Sequence, residues 1–284
     1  MYKINYWIQA ARPQTLVAAL APVLSSSFLC YKYHQFSFLI FLLTVLSSVL
    51  IQIMTNFIND LYDFKKGSDQ ENRLGPDRMI QKGFISEVEI KNAIILLLAL
   101  SVLSGLYLVI IGGWIILAIG LSSFLFAYLY TATRFSIAYN GLGEFFVFIY
   151  FGLIASTGTV YLQTQLYLPE AIIIGCIFGF LNMSLLIINN IRDINEDAKS
   201  NKKTLVVLFG KNFGFFELFI SLFIPIFFYL NLVKDYSYIF IILIIFALYI
   251  FLLSIISKKF ISKTALPLTS LYIIFFAIIL ISSL

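Results

Sequence analysis

At 284 residues, with 61% hydrophobic and only 12% charged residues, the chain falls far short of the roughly 25% charged residues that a soluble domain carries. A mean hydropathy of +0.98 excludes a soluble globular protein and implies an integral membrane protein. The net charge of +5 comes from bases gathered between apolar runs, so a membrane surface and no nucleic acid is the expected partner.

The opening residues, MYKINYWIQAARPQT, lack a secretory-signal pattern; Tyr6, Trp7 and Arg12 suit an amphipathic segment lying at the membrane interface. Nine apolar segments follow, at 15–31, 38–58, 92–111, 113–130, 142–162, 170–190, 213–232, 236–257 and 265–283, each near the ~20 residues that a crossing helix needs. The first contains Pro22, and the pair Gly112 and Gly113 predicts a tight turn between the third and fourth. Cys30 and Cys176 lie in or beside apolar runs, with no CxxC or histidine neighbour, and read as small buried hydrophobes. His34, alone in the first loop, reads as an exposed loop residue.

After the second segment comes NFINDLYDFKKGSDQENRLGPDRMIQK, residues 56–82. If the helix continues into it, Asn56, Asp60 and Asp63, at i, i+4 and i+7, share one face. Gly141 and Gly143 permit a tight entry to the fifth segment. Glu144 there favours the helix dipole, with orientation of a substrate as a second reading. The sixth segment ends in NNIRDINEDAKSNKKTL, which repeats the pattern with Asn189, Asn190, Asp193 and Asp197. Pro225 in the seventh segment is tolerable inside a bundle, and Lys258, Lys259 and Lys263 suit topology and anionic lipid.

Placed on alternate sides of these segments, all 19 lysines and arginines except Lys32 and Lys234 fall on one face. The positive-inside rule then puts the N-terminus and both acidic stretches on the cytoplasmic side of a single domain, 1–284, with motif loops at about 56–91 and 189–212. The acids are as uneven: Asp60, Asp63, Asp69, Glu71, Asp77, Glu87 and Glu89 crowd the first motif, and Asp193, Glu196 and Asp197 the second. Carboxylates at the ends of spanning helices are costly unless paired, hydrated or bound to a cation. Mg²⁺ takes one or two carboxylates and completes its shell with water and phosphate oxygens, while neighbouring Arg and Lys bind phosphate directly. One loop of Asp and Lys is more often only solvated. Two with the same Asn/Asp spacing, each ending a helix and followed by bases, point to a metal–diphosphate site. Asp60 and Asp193 lie 133 residues apart with four segments between them, a spacing that suggests duplicated halves.

The two motifs resemble the paired Asp-rich motifs of the UbiA-type superfamily of intramembrane prenyltransferases, and within it the branch acting on 1,4-dihydroxy-2-naphthoate in menaquinone biosynthesis. The resemblance rests on ARPQTLVAALAPV (11–23), NDLYDFKKGSD (59–69), RLGPDRMIQKG (73–83), IAYNGLGEFFVFIYFG (137–152) and NNIRDINEDAKSNKKTLVVLFG (189–210). It implies an all-α bundle of nine transmembrane helices around a central cavity, in the bacterial cytoplasmic (inner) membrane, with a Mg²⁺-dependent site on the cytoplasmic side. The implied reaction moves a polyprenyl group from polyprenyl diphosphate to dihydroxynaphthoate, with loss of diphosphate and CO₂, giving demethylmenaquinol. By this resemblance Asp60, Asp63, Asp193 and Asp197 hold Mg²⁺, with Asp69 as a further acid. Asn56 and Asn190 orient that shell; Arg78, Lys82, Arg192, Lys202 and Lys203 grip phosphate; Arg12 closes the site near the aromatic substrate. TATRFS at 131–136 departs from the Gly-Gly-Pro type turn common in the family. Among 30 Phe and 17 Tyr, Tyr130 and Tyr139 are the aromatics expected near the reacting ring, because aromatic faces attract an allylic cation without attacking it. Two alternatives stand beside this reading: a prenyltransferase for another aromatic such as 4-hydroxybenzoate, and a cation-coupled transporter, whose acids would lie nearer mid-membrane.

Overall fold

The computed structural model describes residues 2–67, 78–233 and 238–284, and every regular element among them is helical. Helix α1 (Tyr2–Ala11) presses Trp7 against Phe57 and stacks Tyr6 on Phe84 at 4.4 Å between ring centroids, leaving Ile4 and Ile8 exposed. It therefore lies against the polar end of the molecule with an apolar edge outward, as an interfacial helix does. Pro13 opens α2 (Pro13–Lys32), where its missing N–H costs nothing, and α2 runs on through Pro22. Ser37 caps α3 (Phe38–Lys65), whose last three turns carry Asn56, Asp60 and Asp63.

A capping box of Ser86 and Glu89 starts α4 (Glu87–Thr131). A straight helix of 45 residues would measure about 68 Å, twice the ~30 Å apolar thickness of a bilayer. Gly113 breaks it, at φ 63° and ψ −151°, a conformation essentially reserved for glycine. Ile40, near the start of α3, shares a cluster with Leu108 and Ile116, whereas Ile58, near its end, clusters with Ile94, Leu97, Phe124 and Ala127. The two arms of α4 thus run out along α3 and return, and the turn expected at the glycine pair is this reversal.

A short 3₁₀ turn (Ile137–Tyr139) leads into α5 (Gly143–Phe148), which continues through a π segment (Ile149–Ile154) into α6 (Ala155–Thr164) as one rod. The wide turn has an identifiable partner: Asn182 of α7 (Pro169–Arg192) donates to the Phe151 carbonyl at 2.8 Å and to the Ala18 carbonyl at 3.0 Å. Gly152 packs backbone to backbone against Gly175 and Gly179 of α7, leaving no room for side chains there. Short α8 (Ile194–Lys199) and α9 (Leu205–Phe209) precede α10 (Lys211–Val233), unbroken by Pro225; α11 (Ile239–Ile256), α12 (Lys258–Lys263) and α13 (Ala265–Ser283) complete the chain.

Helix α7 is the axis of the core, with Ile174, Ile177, Phe178, Leu181, Ile187 and Ile188 fully buried among α2, α10 and α13. Seven described helices are long and apolar enough to cross a membrane: α2, α3, α4, the α5–α6 rod, α7, α10 and α13. The apolar stretch of α11, Phe240–Ile256, is shorter; the segments expected at 92–111 and 113–130 are the two arms of α4. Between α3, α4 and the α5–α6 rod lies an apolar cavity of about 340 Å³, walled by Ile51, Leu106, Phe126, Phe146, Tyr150 and their neighbours.

Candidate active site

Both acidic motifs end at one polar cavity of about 170 Å³. Asp60 is 2% exposed and Asp63 8% exposed, so neither carboxylate is left to water. The guanidinium groups of Arg12 and Arg78 both close on Asp60 Oδ1. Arg78 Nη2 lies 3.1 Å from Asp63 Oδ2, and the Tyr139 hydroxyl donates to Asp63 Oδ1 at 3.0 Å. Arg12 reaches this point from the joint between α1 and α2, in the left-handed conformation (φ 52°) that a non-glycine residue before proline adopts at a cost of about 1–3 kcal/mol. Thr15 secures the joint: its N–H and its hydroxyl both donate to the Arg12 carbonyl, at 2.9 and 3.0 Å. Asn56 contributes from α3, its amide donating to the Ala11 carbonyl at 2.9 Å and to Thr15 Oγ1 at 3.1 Å.

Across the cavity α7 ends at Arg192, whose Nε and Nη2 donate to Asp193 Oδ1 and Oδ2 at 2.6 and 2.8 Å, a buried two-point pair between adjacent residues. Asp197, in α8, accepts from Lys202 Nζ at 3.1 Å, and its carbonyl accepts the Lys202 N–H at 2.8 Å, so the loop folds back and aims Lys202 at the cavity. Asn190 donates to Glu144 Oε1 at 2.8 Å, tying α7 to the start of α5.

Of the residues expected at the site, Arg12, Asp60, Asp63, Arg78, Tyr130, Asn190, Arg192, Asp193 and Lys202 line the cavity. Four others stand behind it. Asn56 fixes the α1–α2 joint, Tyr139 reaches Asp63 through its hydroxyl, Asp197 anchors Lys202, and Lys203 gives its backbone N–H to the Tyr139 carbonyl at 3.1 Å. Lys82 closes the turn after Arg78, its N–H donating to the Arg78 carbonyl at 3.1 Å. Asp69 falls outside the described residues.

Further side chains join the site. Glu144, 4% exposed, faces the cavity as a buried acceptor for Asn190, a place compatible with its second reading, orientation of a substrate, as well as with the dipole role. Asn59 accepts from the Thr131 hydroxyl at 2.9 Å, and both side chains line the cavity. Lys66 donates to the Thr133 carbonyl and to Ser136 Oγ, each at 3.0 Å, and lies over the Tyr139 ring at 4.1 Å. Its desolvation pushes the ammonium pKa below the ordinary value, opposed by the nearby Asp63 charge. Lys66 thereby ties the first motif to the atypical 131–136 segment, the one hint the sequence offered for it.

The cavity is lined by oxygen donors and by cations whose charges offset one another. Among the described residues no three His, Cys, Asp or Glu side chains gather closely enough to hold a metal ion by themselves. Hard carboxylate oxygens arriving singly or in pairs from two helix ends fit a cation that fills its shell with water and phosphate oxygens, as Mg²⁺ does, and do not fit an all-protein cage. Tyr130 belongs to the walls of both the polar and the apolar cavity, so the two meet at its side chain.

Residues 19–281 match the model of the UbiA prenyltransferase family. The chain is similar to the 1,4-dihydroxy-2-naphthoate octaprenyltransferase of Haemophilus influenzae, 39% identical over 216 residues covering 73% of this chain and 70% of that protein. It is similar also to the Escherichia coli protein of the same name, 38% identical over 213 residues covering 72% and 68%. The fold resembles a solved UbiA homolog from Archaeoglobus fulgidus bound to GPP and Mg²⁺, with a TM-score of 0.66 at 19% identity, over 98% of this chain and 99% of that one.

Proposed function

The chain belongs to the UbiA prenyltransferase family, and we propose that it transfers a polyprenyl group from polyprenyl diphosphate to 1,4-dihydroxy-2-naphthoate, releasing diphosphate and CO₂. The observation that carries this reading is the junction at Tyr130: a charged cavity of about 170 Å³ adjoins an apolar one of about 340 Å³. Such a pair suits a substrate with a polyanionic head and a hydrocarbon tail. The names of the relatives support naphthoate as the aromatic partner.

In this reading Asp60, Asp63 and Asp193 on the cavity wall, with Asp197 behind them, would hold Mg²⁺, which when bound would offset the negative charge that develops on the departing diphosphate. Arg12, Arg78, Arg192 and Lys202, each already poised on a carboxylate, turn part of their hydrogen bonding to phosphate oxygens. The allylic C–O bond breaks with its electron pair leaving on the diphosphate. Tyr130 and the Phe126 and Phe146 rings of the apolar wall present faces to the allylic cation and exclude water. The carboxylated ring carbon supplies the electron pair for the new C–C bond, and the pair released from the bond to CO₂ restores the aromatic ring. The same reading puts nine crossings in the bacterial inner membrane, both motifs on the cytoplasmic side.

Purified protein with geranylgeranyl diphosphate, offered 1,4-dihydroxy-2-naphthoate or 4-hydroxybenzoate with Mg²⁺ or EDTA, provides the test. A prenylated, decarboxylated naphthoquinol, read as the quinone after oxidation by air, formed only with Mg²⁺ is expected by mass spectrometry. A prenylated benzoate alone would overturn the choice of aromatic substrate, and product formed equally in EDTA would overturn the metal.

A further inference from the structure

We infer that Gln52 seats the aromatic substrate by accepting a hydrogen bond from its ring hydroxyl; this rests on the transfer reaction proposed above. Gln52 sits on α3 one turn before Asn56, is 7% exposed, and forms part of the apolar cavity wall. The orientation of its amide follows from the network around it. Thr15 spends its one hydroxyl proton on the Arg12 carbonyl at 3.0 Å, so it can only accept from Asn56 Nδ2 at 3.1 Å and Gln52 Nε2 at 3.4 Å. The NH₂ end of Gln52 therefore faces Thr15, and Oε1, fully buried, has no hydrogen-bond partner among the described residues.

Other polar side chains on this wall behave differently. Thr44, Ser48, Thr55 and Ser123 each donate to a carbonyl of their own helix, at 2.7, 2.9, 2.8 and 2.7 Å, and so present a satisfied surface to the cavity. A buried carbonyl left open carries a penalty that a bound donor removes. Of the substrate parts, a prenyl chain has no donor, and a diphosphate or carboxylate at neutral pH only accepts. The ring hydroxyls are the remaining donors. In 1,4-dihydroxy-2-naphthoate the 1-hydroxyl lies beside the carboxylate and closes an internal hydrogen bond, leaving the 4-hydroxyl for Gln52. Thr15 lines the polar cavity and Gln52 the apolar one, so their hydrogen bond links the walls of the two cavities between which ring and prenyl carbon must meet.

The full chain in detergent, assayed for prenyl transfer, tests this with two inhibitors that differ by one group, 4-hydroxy-2-naphthoate and 2-naphthoate. The wild type is expected to prefer the hydroxylated ligand by about 5- to 10-fold in Ki, the scale of one neutral hydrogen bond. In Gln52→Leu that preference should fall to about 1, with KM for the prenyl diphosphate unchanged. Gln52→Met, which keeps the side chain's length, is the second variant should the first fail to fold. Equal Ki values in the wild type, or a preference that survives both substitutions while wild-type transfer proceeds, would overturn the assignment. Absence of transfer by the wild type would instead overturn the proposed function on which it rests.

Discussion

Asp60 holds two guanidinium groups that approach from opposite directions in the sequence, Arg12 from 48 residues before it and Arg78 from 18 residues after. Removing that carboxylate takes a shared partner from Arg12 and Arg78 and leaves Arg78 its bond to Asp63, whereas Asp193 has its own neighbour as partner. Asp60→Ala and Asp193→Ala are each expected to lower Mg²⁺-dependent diphosphate release by at least about 100-fold, the scale of losing one preorganised charge at a reacting centre. Full turnover in either variant would remove that residue from the site. The shared face of Asn56, Asp60 and Asp63 was legible because a helix repeats on a known period. The part Asn56 plays was not: its amide turns away from the acids to the α1–α2 joint, and nothing in the local pattern encodes a carbonyl 45 positions away.

Two glycines decide how the helices meet. Gly113 holds a backbone conformation closed to other residues although space around it is open, so Gly113→Ala isolates backbone strain and should cost about 1–3 kcal/mol. Gly152 is the converse case, with no positive φ and a neighbour's backbone where a side chain would stand; Gly152→Val should destabilise by at least as much. Thermal unfolding of both variants in detergent checks this, and midpoints equal to the wild type would show that neither constraint operates. The glycine pair could be read as a turn because the apolar run from 92 to 130 is about twice what one crossing needs. The π segment at Ile149–Ile154 could not, since its stabilising amide, Asn182, belongs to another helix.

Helix α2 alone separates Arg12, in the polar cavity, from His34 by 20 helical residues, about 30 Å, or one apolar bilayer thickness. The two ends of the molecule should therefore meet opposite aqueous phases. In a chain with Cys30 and Cys176 replaced by Ser, a cysteine at position 200 should react with an impermeant maleimide from the same side as one at position 3, and a cysteine at position 34 from the other side only. Labelling of all three from one side would refute the arrangement. By itself the sequence determined the solvent class, the apolar segments, the turn at the glycine pair and the two polar helix ends, because each follows from hydropathy and helical period over a few turns. The tertiary structure alone decided which cation neutralises which carboxylate, that Asn59 and Lys66 join the site, and that a charged and an apolar cavity meet at Tyr130. Those relations depend on residues far apart in the chain, such as Asn190 on Glu144 and Arg12 on Asp60, 46 and 48 positions apart, and the two motifs, 133 positions apart at Asp60 and Asp193, across one cavity, and no local pattern carries them.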